Sequence, residues 1–239
     1  MSHFILIHGA WHGGWCWHKL VRELDSSGHS VTAPDLPCHG DDRTAPQGID
    51  VSDYADLVCS LVDAASDEVV LVGHSLGGLT ISQVAERRPD RLRCLVYLAA
   101  LVPTPGATPA SRRSLTTDAL LDSLRLSEDG SVSLFDLDAI REVFYADCSD
   151  EDIAFARARL CGEPAAAANS AVEPSRENWG RVPRDYIVCL QDQALQASAQ
   201  QALAKESGCR NVYSLDTSHS PFFSAPADLA RILGQIAES

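Results

Sequence analysis

Along this chain, short and almost unbroken apolar runs alternate with segments whose apolar residues recur every three to four positions. Six runs have the β-branched, continuously apolar character of strands covered on both faces: HFILIHG (3–9), SVTAPD (30–35), EVVLVG (68–73), LRCLVYLAA (92–100), RDYIVCL (184–190) and RNVYSLD (210–216). Helix-period segments lie between most of them, at 19–27, 51–65, 79–88 and 198–207. A last one at 226–237 puts Leu229, Ile232, Leu233 and Ile236 on one stripe. Strand, helix, strand repetition predicts an α/β architecture, a mostly parallel sheet of about six strands flanked by helices on both faces.

The rhythm breaks between 103 and 184, where Pro, Ser and acidic clusters alternate with several amphipathic helices, among them 149–160. This stretch is expected to be an inserted helical cap. The division that follows is a core of 1–102 and 179–239 with a cap of 103–178. Ligands of parallel sheets sit beyond the carboxyl ends of the strands, which puts the expected site between cap and sheet. The chain carries no internal repeat or low-complexity tract.

Composition narrows the partners. A length of 239 residues, 45% hydrophobic and 22% charged, suits a soluble globule with a sizeable core. The 33 acidic residues outnumber the 19 basic ones to give a net charge of −14, which opposes nucleic acid and anionic membrane surfaces and favours a neutral substrate. The first residues run straight into a strand pattern, so no secretory signal is expected, and no apolar run approaches the ~20 residues of a membrane span. Eight cysteines are widely scattered and none forms C-x-x-C. Free thiols in a reducing cytoplasm are therefore expected, with no structural zinc. The one macromolecular partner allowed for is a second copy, as a homodimer.

The chemistry starts at VVLVGHSLGGL (69–79), where Gly73-His74-Ser75-Leu76-Gly77 is G-x-S-x-G between a strand and a helix. That context is a nucleophile elbow: a sharp turn lifts the serine hydroxyl clear of the sheet and leaves the next N–H at a helix start. A glycine-rich connection with no chemistry is the plainer reading. A serine needs a base, and His219, in DTSHSPFFSAP after the last strand, is the only histidine after His74. The base needs a carboxylate at the carboxyl end of an intervening strand. Asp192 fits, two residues past RDYIVCL; Asp185 starts that strand and lies at the wrong end, and Asp216 reads as structural or solvated. The expected oxyanion donors are the N–H groups of Leu76 and of Ala10 in the first loop. His12 is expected to wall the ligand, while His8 and His74 read as packing or hydrogen-bonding residues. Trp15 and Trp17 fit loop packing at least as well as ligand contact. Cys38 and Cys189 lie near strand ends, but neither is needed as a nucleophile.

Taken together, HGAWHGGWCWHKL, GHSLGG, YIVCLQD and SHSPFFSAP resemble the α/β-hydrolase superfamily, in particular the branch holding plant methyl-ester esterases and α-hydroxynitrile lyases. The likeness covers about 3–101 and 179–237; the cap matches loosely. It implies Ser75 as nucleophile, His219 as base, Asp192 as acid, and Ala10 and Leu76 as oxyanion donors, with no cofactor and no metal. The lyases of that branch carry a threonine at the place of Ala10 and a lysine after the base, where this chain has Ser220. Without that ammonium group nothing obvious stabilises a departing cyanide, so hydrolysis is favoured. Cys38 stands where the related loop usually has glycine, and Ser220 where the plant esterases have methionine. The expectation is a cofactor-free serine esterase for small to medium neutral esters. Its pocket is drawn from Leu101, Phe135, Leu137, Phe144, Leu160, Trp179, His12 and Ser220, each of the cap residues being equally suited to cap core. A hydroxynitrile lyase and a non-catalytic ligand receptor are the alternatives.

Overall fold

The computed structural model describes residues 1–103, 111 and 113–239. Strand β1 (His3–Ile7) leads through a loop to α1 (His18–Ser26), then come β2 (Ser30–Thr32), α2 (Val51–Ala64), β3 (Val69–His74), α3 (Gly77–Arg87) and β4 (Leu92–Leu98). β2 is shorter than its apolar run because the chain reaches Pro34, which cannot donate to a ladder. The start of α2 is fixed by a reciprocal cap: Asp50 accepts from the Ser52 N–H at 2.6 Å, and Asp53 accepts from the Asp50 N–H at 2.9 Å.

The segment that follows β4 contains α4 (Asp118–Asp122), β5 (Leu124–Leu126), β6 (Val132–Phe135), α5 (Ile140–Phe144), α6 (Asp150–Arg157), β7 (Glu163–Pro164) and α7 (Ala165–Ala168). It is not all helical. β5, β6 and β7 form a small antiparallel sheet in that order. The alternation that makes β6 a strand, VSLF with every second residue buried, is too short to stand out from the surrounding polar sequence. The expected helix at 149–160 is α6, its first turn capped by the Ser149 hydroxyl, which accepts from the Asp152 N–H at 3.2 Å.

The chain then returns through β8 (Arg184–Cys189), α8 (Ala197–Glu206), β9 (Val212–Leu215), the single turn α9 (Pro221–Ser224) and α10 (Pro226–Glu238). The main sheet runs β2-β1-β3-β4-β8-β9 with every pair parallel. β3 and β8 are buried at every position, as strands covered by helices on both faces must be. The stripe on α10, Leu229, Ile232, Leu233 and Ile236, is buried as its spacing predicts. Parallel pairing brings the carboxyl ends of β1, β3 and β8 to one edge, where residues 8–12, 75–77 and 190–195 leave the sheet. Among the described residues no helix is long and apolar enough to cross a membrane.

Candidate active site

The backbone at Ser75 is in the left-handed region, with φ of +53°. A non-glycine residue holds that conformation only if its surroundings fix it. Here the Ser75 N–H donates to Leu98 O at 3.2 Å, and the Ser75 carbonyl accepts from Gly78 N at 3.1 Å and from Leu101 N at 3.0 Å. The first loop passes so close that a Cβ at Gly9 would lie 2.7 Å from the Ser75 Cβ, and one at Gly77 would lie 2.6 Å from His8 O. Both positions therefore require glycine, and both bring the β1 loop against the elbow.

At the end of β8, Asp192 is buried and accepts four hydrogen bonds. Its Oδ1 takes the N–H groups of Ala194 at 2.7 Å and Leu195 at 2.9 Å; its Oδ2 takes Gln200 Nε2 at 2.8 Å and His219 Nδ1 at 2.7 Å. A carboxylate only accepts, so Nδ1 carries the proton, and in the neutral ring Nε2 is left as an acceptor. Gln200 is fully buried, and its Oε1 accepts from the Cys189 N–H at 3.0 Å, tying α8 to the end of β8. Sequence reading missed it. The available signal was a polar residue on the buried stripe of α8, three and four residues before Leu203 and Ala204.

The loop that carries His219 is anchored on two sides. The His219 carbonyl accepts from His74 Nε2 at 2.9 Å, and the two rings are 4.4 Å apart. Burial, reinforced by His219, holds the His74 pKa well below that of a free imidazole, so His74 stays neutral. On the other side Asp147, from the segment between β4 and β8, accepts from the Ser218 N–H at 3.0 Å and from the Ser218 hydroxyl. Asp147 also went unnoticed in the sequence. The two rejected carboxylates lie elsewhere: Asp185 binds Arg210 and Asn211 at the start of β8, and exposed Asp216 accepts from Gln191 Nε2.

A cavity of about 170 Å³ opens over the elbow, lined by Ala10, Trp11, Ser75 and Leu76 together with Leu101, Leu120, Leu124 and Leu195. Arg113, Thr116, Ser133 and Asn169 are its polar members. Among the loop and side-chain hydrogen bonds of the described residues, none takes the N–H of Ala10 or of Leu76 as donor. Ala10 and Leu76, whose N–H groups donate in none of these bonds, thus line one largely apolar cavity together with Ser75.

Of the expected pocket residues, Leu101 lines this cavity and the others do not. His12 is buried, its Nδ1 donating to Ala10 O at 2.7 Å while its Nε2 takes the Tyr145 hydroxyl at 2.7 Å. Burial pushes its pKa down to about 4, the Ala10 hydrogen bond opposing this only in part, so the ring is a neutral brace and not a wall. Phe135 and Phe144 pack on each other and on Trp11, with Phe144 5.7 Å from the His219 ring. Trp179 donates to the Tyr97 hydroxyl and is covered by the Arg184 guanidinium. Leu137 and Leu160 border a separate groove, and Ser220 is wholly buried. The reason is geometric: the aromatic side chains fill the joint between segment and sheet, and leucines of α4 and β5 with small residues of α7 are left to face the cavity. Trp17 packs on Phe222, and Trp15 on His12, Phe155 and Phe223. Burial raises the Cys38 thiol to about 11 and the Cys189 thiol well above its usual range, which suits neither to nucleophilic attack. Among the described residues no three His, Cys, Asp or Glu side chains are grouped to hold a metal ion.

The chain is similar to known proteins over nearly its whole length. Methylesterase 7 of Arabidopsis thaliana is 30% identical over 98% of this chain and 96% of its own length; methyl jasmonate esterase 1 of Vitis vinifera is 30% identical over 99% and 97%. The crystal structure of a pyrethroid hydrolase from Sphingobium faniae JZ-2 superposes with a TM-score of 0.87 at 30% identity, covering 100% of this chain and 98% of that one. The model of the alpha/beta hydrolase family matches residues 4–232, and the chain belongs to that family.

Proposed function

We propose that the protein is a serine esterase that hydrolyses small to medium neutral carboxylic esters through an acyl-Ser75 intermediate. His219 Nε2 takes the Ser75 proton as Oγ attacks the ester carbonyl, and the resulting oxyanion is held by the N–H groups of Ala10 and Leu76. Collapse expels the alcohol, which His219 protonates. A water activated by the same nitrogen then attacks the acyl-enzyme and returns Ser75. Asp192 keeps the His219 proton on Nδ1 and stabilises the imidazolium that forms at each step. The scheme calls on no metal or cofactor.

The observation that carries this reading is the pair of unused N–H groups beside Ser75 in an apolar cavity, since such donors are what a tetrahedral oxyanion needs. The relatives support it: a methylesterase, a methyl jasmonate esterase and a pyrethroid hydrolase. Leucine walls and a net charge of −14 favour uncharged, apolar acyl or alcohol groups. In this account residues 103–178 serve as the cap that closes the cavity, and the scattered thiols suit a reducing cytoplasm.

The test is a series of p-nitrophenyl esters of rising chain length run beside aryl methyl esters, with fluorophosphonate labelling of the same samples. The proposal expects turnover of both groups and a covalent adduct that is absent from Ser75→Ala. An unlabelled protein that turns over no ester in either group would reject it in favour of a ligand receptor.

A further inference from the structure

Glu163 on β7 is a carboxylate buried to 1% exposure with no role in the chemistry above. Its Oε2 accepts from the Trp11 N–H at 3.3 Å and from His39 Nε2 at 2.9 Å, and its Oε1 accepts from the Tyr54 hydroxyl at 2.9 Å. His39 also donates from Nδ1 to Pro37 O at 2.9 Å, so both of its ring nitrogens carry protons and the pair is ionic. Burial alone would lower the His39 pKa, but Glu163 outweighs it and the net shift is upward. A buried ion pair of this kind adds little to stability compared with apolar packing, so its presence calls for another reason.

That reason lies in what Glu163 grips. The Trp11 N–H and the Ala10 carbonyl belong to one peptide group. Glu163 holds its N–H, and His12 holds its oxygen at 2.7 Å. The following carbonyl, that of Trp11, accepts from the Cys161 N–H at 3.0 Å, and the Trp11 indole donates to Ser133 O at 3.0 Å. Trp11 itself has a φ of +63°, unfavourable for a tryptophan and sustained only by such restraint. Every polar group of Trp11 is thus bound by the segment between β4 and β8. Ala10, which lines the cavity with Ser75, is the residue next to it.

We propose that Glu163 is a positioning residue for the oxyanion donor: reaching in from β7, its carboxylate fixes the Ala10–Trp11 peptide and so aims the Ala10 N–H at the ester carbonyl oxygen over Ser75. This rests on the esterase reading, and it adds that the oxyanion site is completed by the segment between β4 and β8 and not by the sheet alone. The His39 ion pair holds the oxygen that binds Trp11 in place, while the Tyr54 hydroxyl bonds only the other oxygen; Trp11 transmits the carboxylate's position.

Two substitutions separate positioning from charge pairing. Glu163→Gln keeps the reach: its amide oxygen can still accept from Trp11 and His39 while its NH₂ donates to a reversed Tyr54 hydroxyl. Glu163→Asp keeps the charge beside His39 but withdraws the acceptor from Trp11 by one methylene. Positioning therefore predicts that kcat for a p-nitrophenyl ester falls about 10- to 100-fold in Glu163→Asp, with KM within about threefold, whereas Glu163→Gln stays within about fivefold of wild type. Affinity for a trifluoromethyl ketone, which adds to the serine as a tetrahedral oxyanion, should fall in Glu163→Asp by the same factor as kcat. Tyr54→Phe, which loses a bond to the carboxylate but none to Trp11, should stay within about threefold. The reverse order, an active Asp variant and an inactive Gln variant, overturns the inference by making the cluster a structural ion pair. So does Tyr54→Phe as damaging as Glu163→Asp. Ser75→Ala measured alongside keeps the two failures apart: if it retains turnover the esterase reading fails at its root, and if it is dead while Glu163→Asp matches wild type, only this inference falls.

Discussion

Gln200 Nε2 donates to Oδ2 of Asp192 at 2.8 Å, and that same oxygen faces His219 Nδ1. The carboxylate is therefore aimed by a neutral side chain from α8, and its two oxygens together accept four donors with none left to water. Replacing Gln200 by Leu removes one of the four and orphans the Cys189 N–H that Gln200 Oε1 accepts. The expected result is a loss of about 1–3 kcal/mol in stability from the unsatisfied group, with kcat/KM down by about tenfold from the loosened acid. Urea denaturation and steady-state kinetics on the same preparation check both.

Asp192→Asn presents an amide to His219 and favours the wrong tautomer, so kcat should fall by about 10³- to 10⁴-fold with the fold intact. Exposed Asp216, whose carboxylate accepts a hydrogen bond from Gln191, should tolerate the same change within about twofold, the ordinary cost of a surface substitution. Kinetics on the two variants decide between the carboxylates. A crippled Asp216→Asn beside an active Asp192→Asn would reassign the acid.

Gly9→Ala places a methyl group 2.7 Å from the Ser75 Cβ and 3.0 Å from His74 Nδ1, neither of which can retreat within the elbow. Overpacking of this kind costs about 1–3 kcal/mol, and the β1 loop that carries Ala10 must move. Activity should drop by at least about tenfold, more than the loss of stability accounts for at room temperature. A thermally shifted but fully active variant would contradict the close approach.

Three buried histidines make the protein sensitive to acid. The folded-state pKa of His12 is lowered from 6.5 to about 4, and those of His8 and His74 are lowered well below 6.5, in each case chiefly by burial. The unfolded chain binds these protons first, so stability is full above about pH 6.5 and declines as the pH falls toward the folded values. His12 alone should cost about 2 kcal/mol at pH 5. His39, raised by Glu163, acts in the opposite sense: its contribution is present below pH 6.5 and fades as the pH rises through its folded value. With three groups against one, the urea midpoint should fall between pH 7 and pH 5. A midpoint that rises over that interval would show that these rings are not buried neutral.

Much of the arrangement is legible in the sequence where physics is local. Continuous apolar runs mark β3 and β8 because those strands are covered on both faces, and G-x-S-x-G marks Ser75 because a strand-to-helix turn that tight leaves few choices of residue. Chain order and strand ends point to Asp192 and His219, whose side chains lie 2.7 Å apart. What sequence does not yield is set by long-range contact. Asp147 meets Ser218 across 71 positions and Glu163 meets Trp11 across 152, and neither sits in a motif or a periodic segment that would single it out. The pocket walls fail for a related reason. Phe135, Phe144 and Trp179 are large and apolar, as a wall residue would be, but the joint between segment and sheet needs that volume more than the cavity does. His12 misleads because its place in the first loop is correct while its ring turns inward to Ala10 O and Tyr145.

The central claim is that Ser75 forms the acyl-enzyme, and the most direct measurement is kcat for a p-nitrophenyl ester in Ser75→Ala, with fluorophosphonate labelling of the same preparation read by intact mass. Ser75 is small and its backbone, not its hydroxyl, makes the hydrogen bonds that hold the elbow, so the variant should fold like the wild type. The account predicts a fall in kcat of about 10⁴-fold or more and no adduct, against one adduct per wild-type chain on Ser75. Turnover within about tenfold of wild type in the purified variant, or an adduct that persists without the Ser75 hydroxyl, would contradict it.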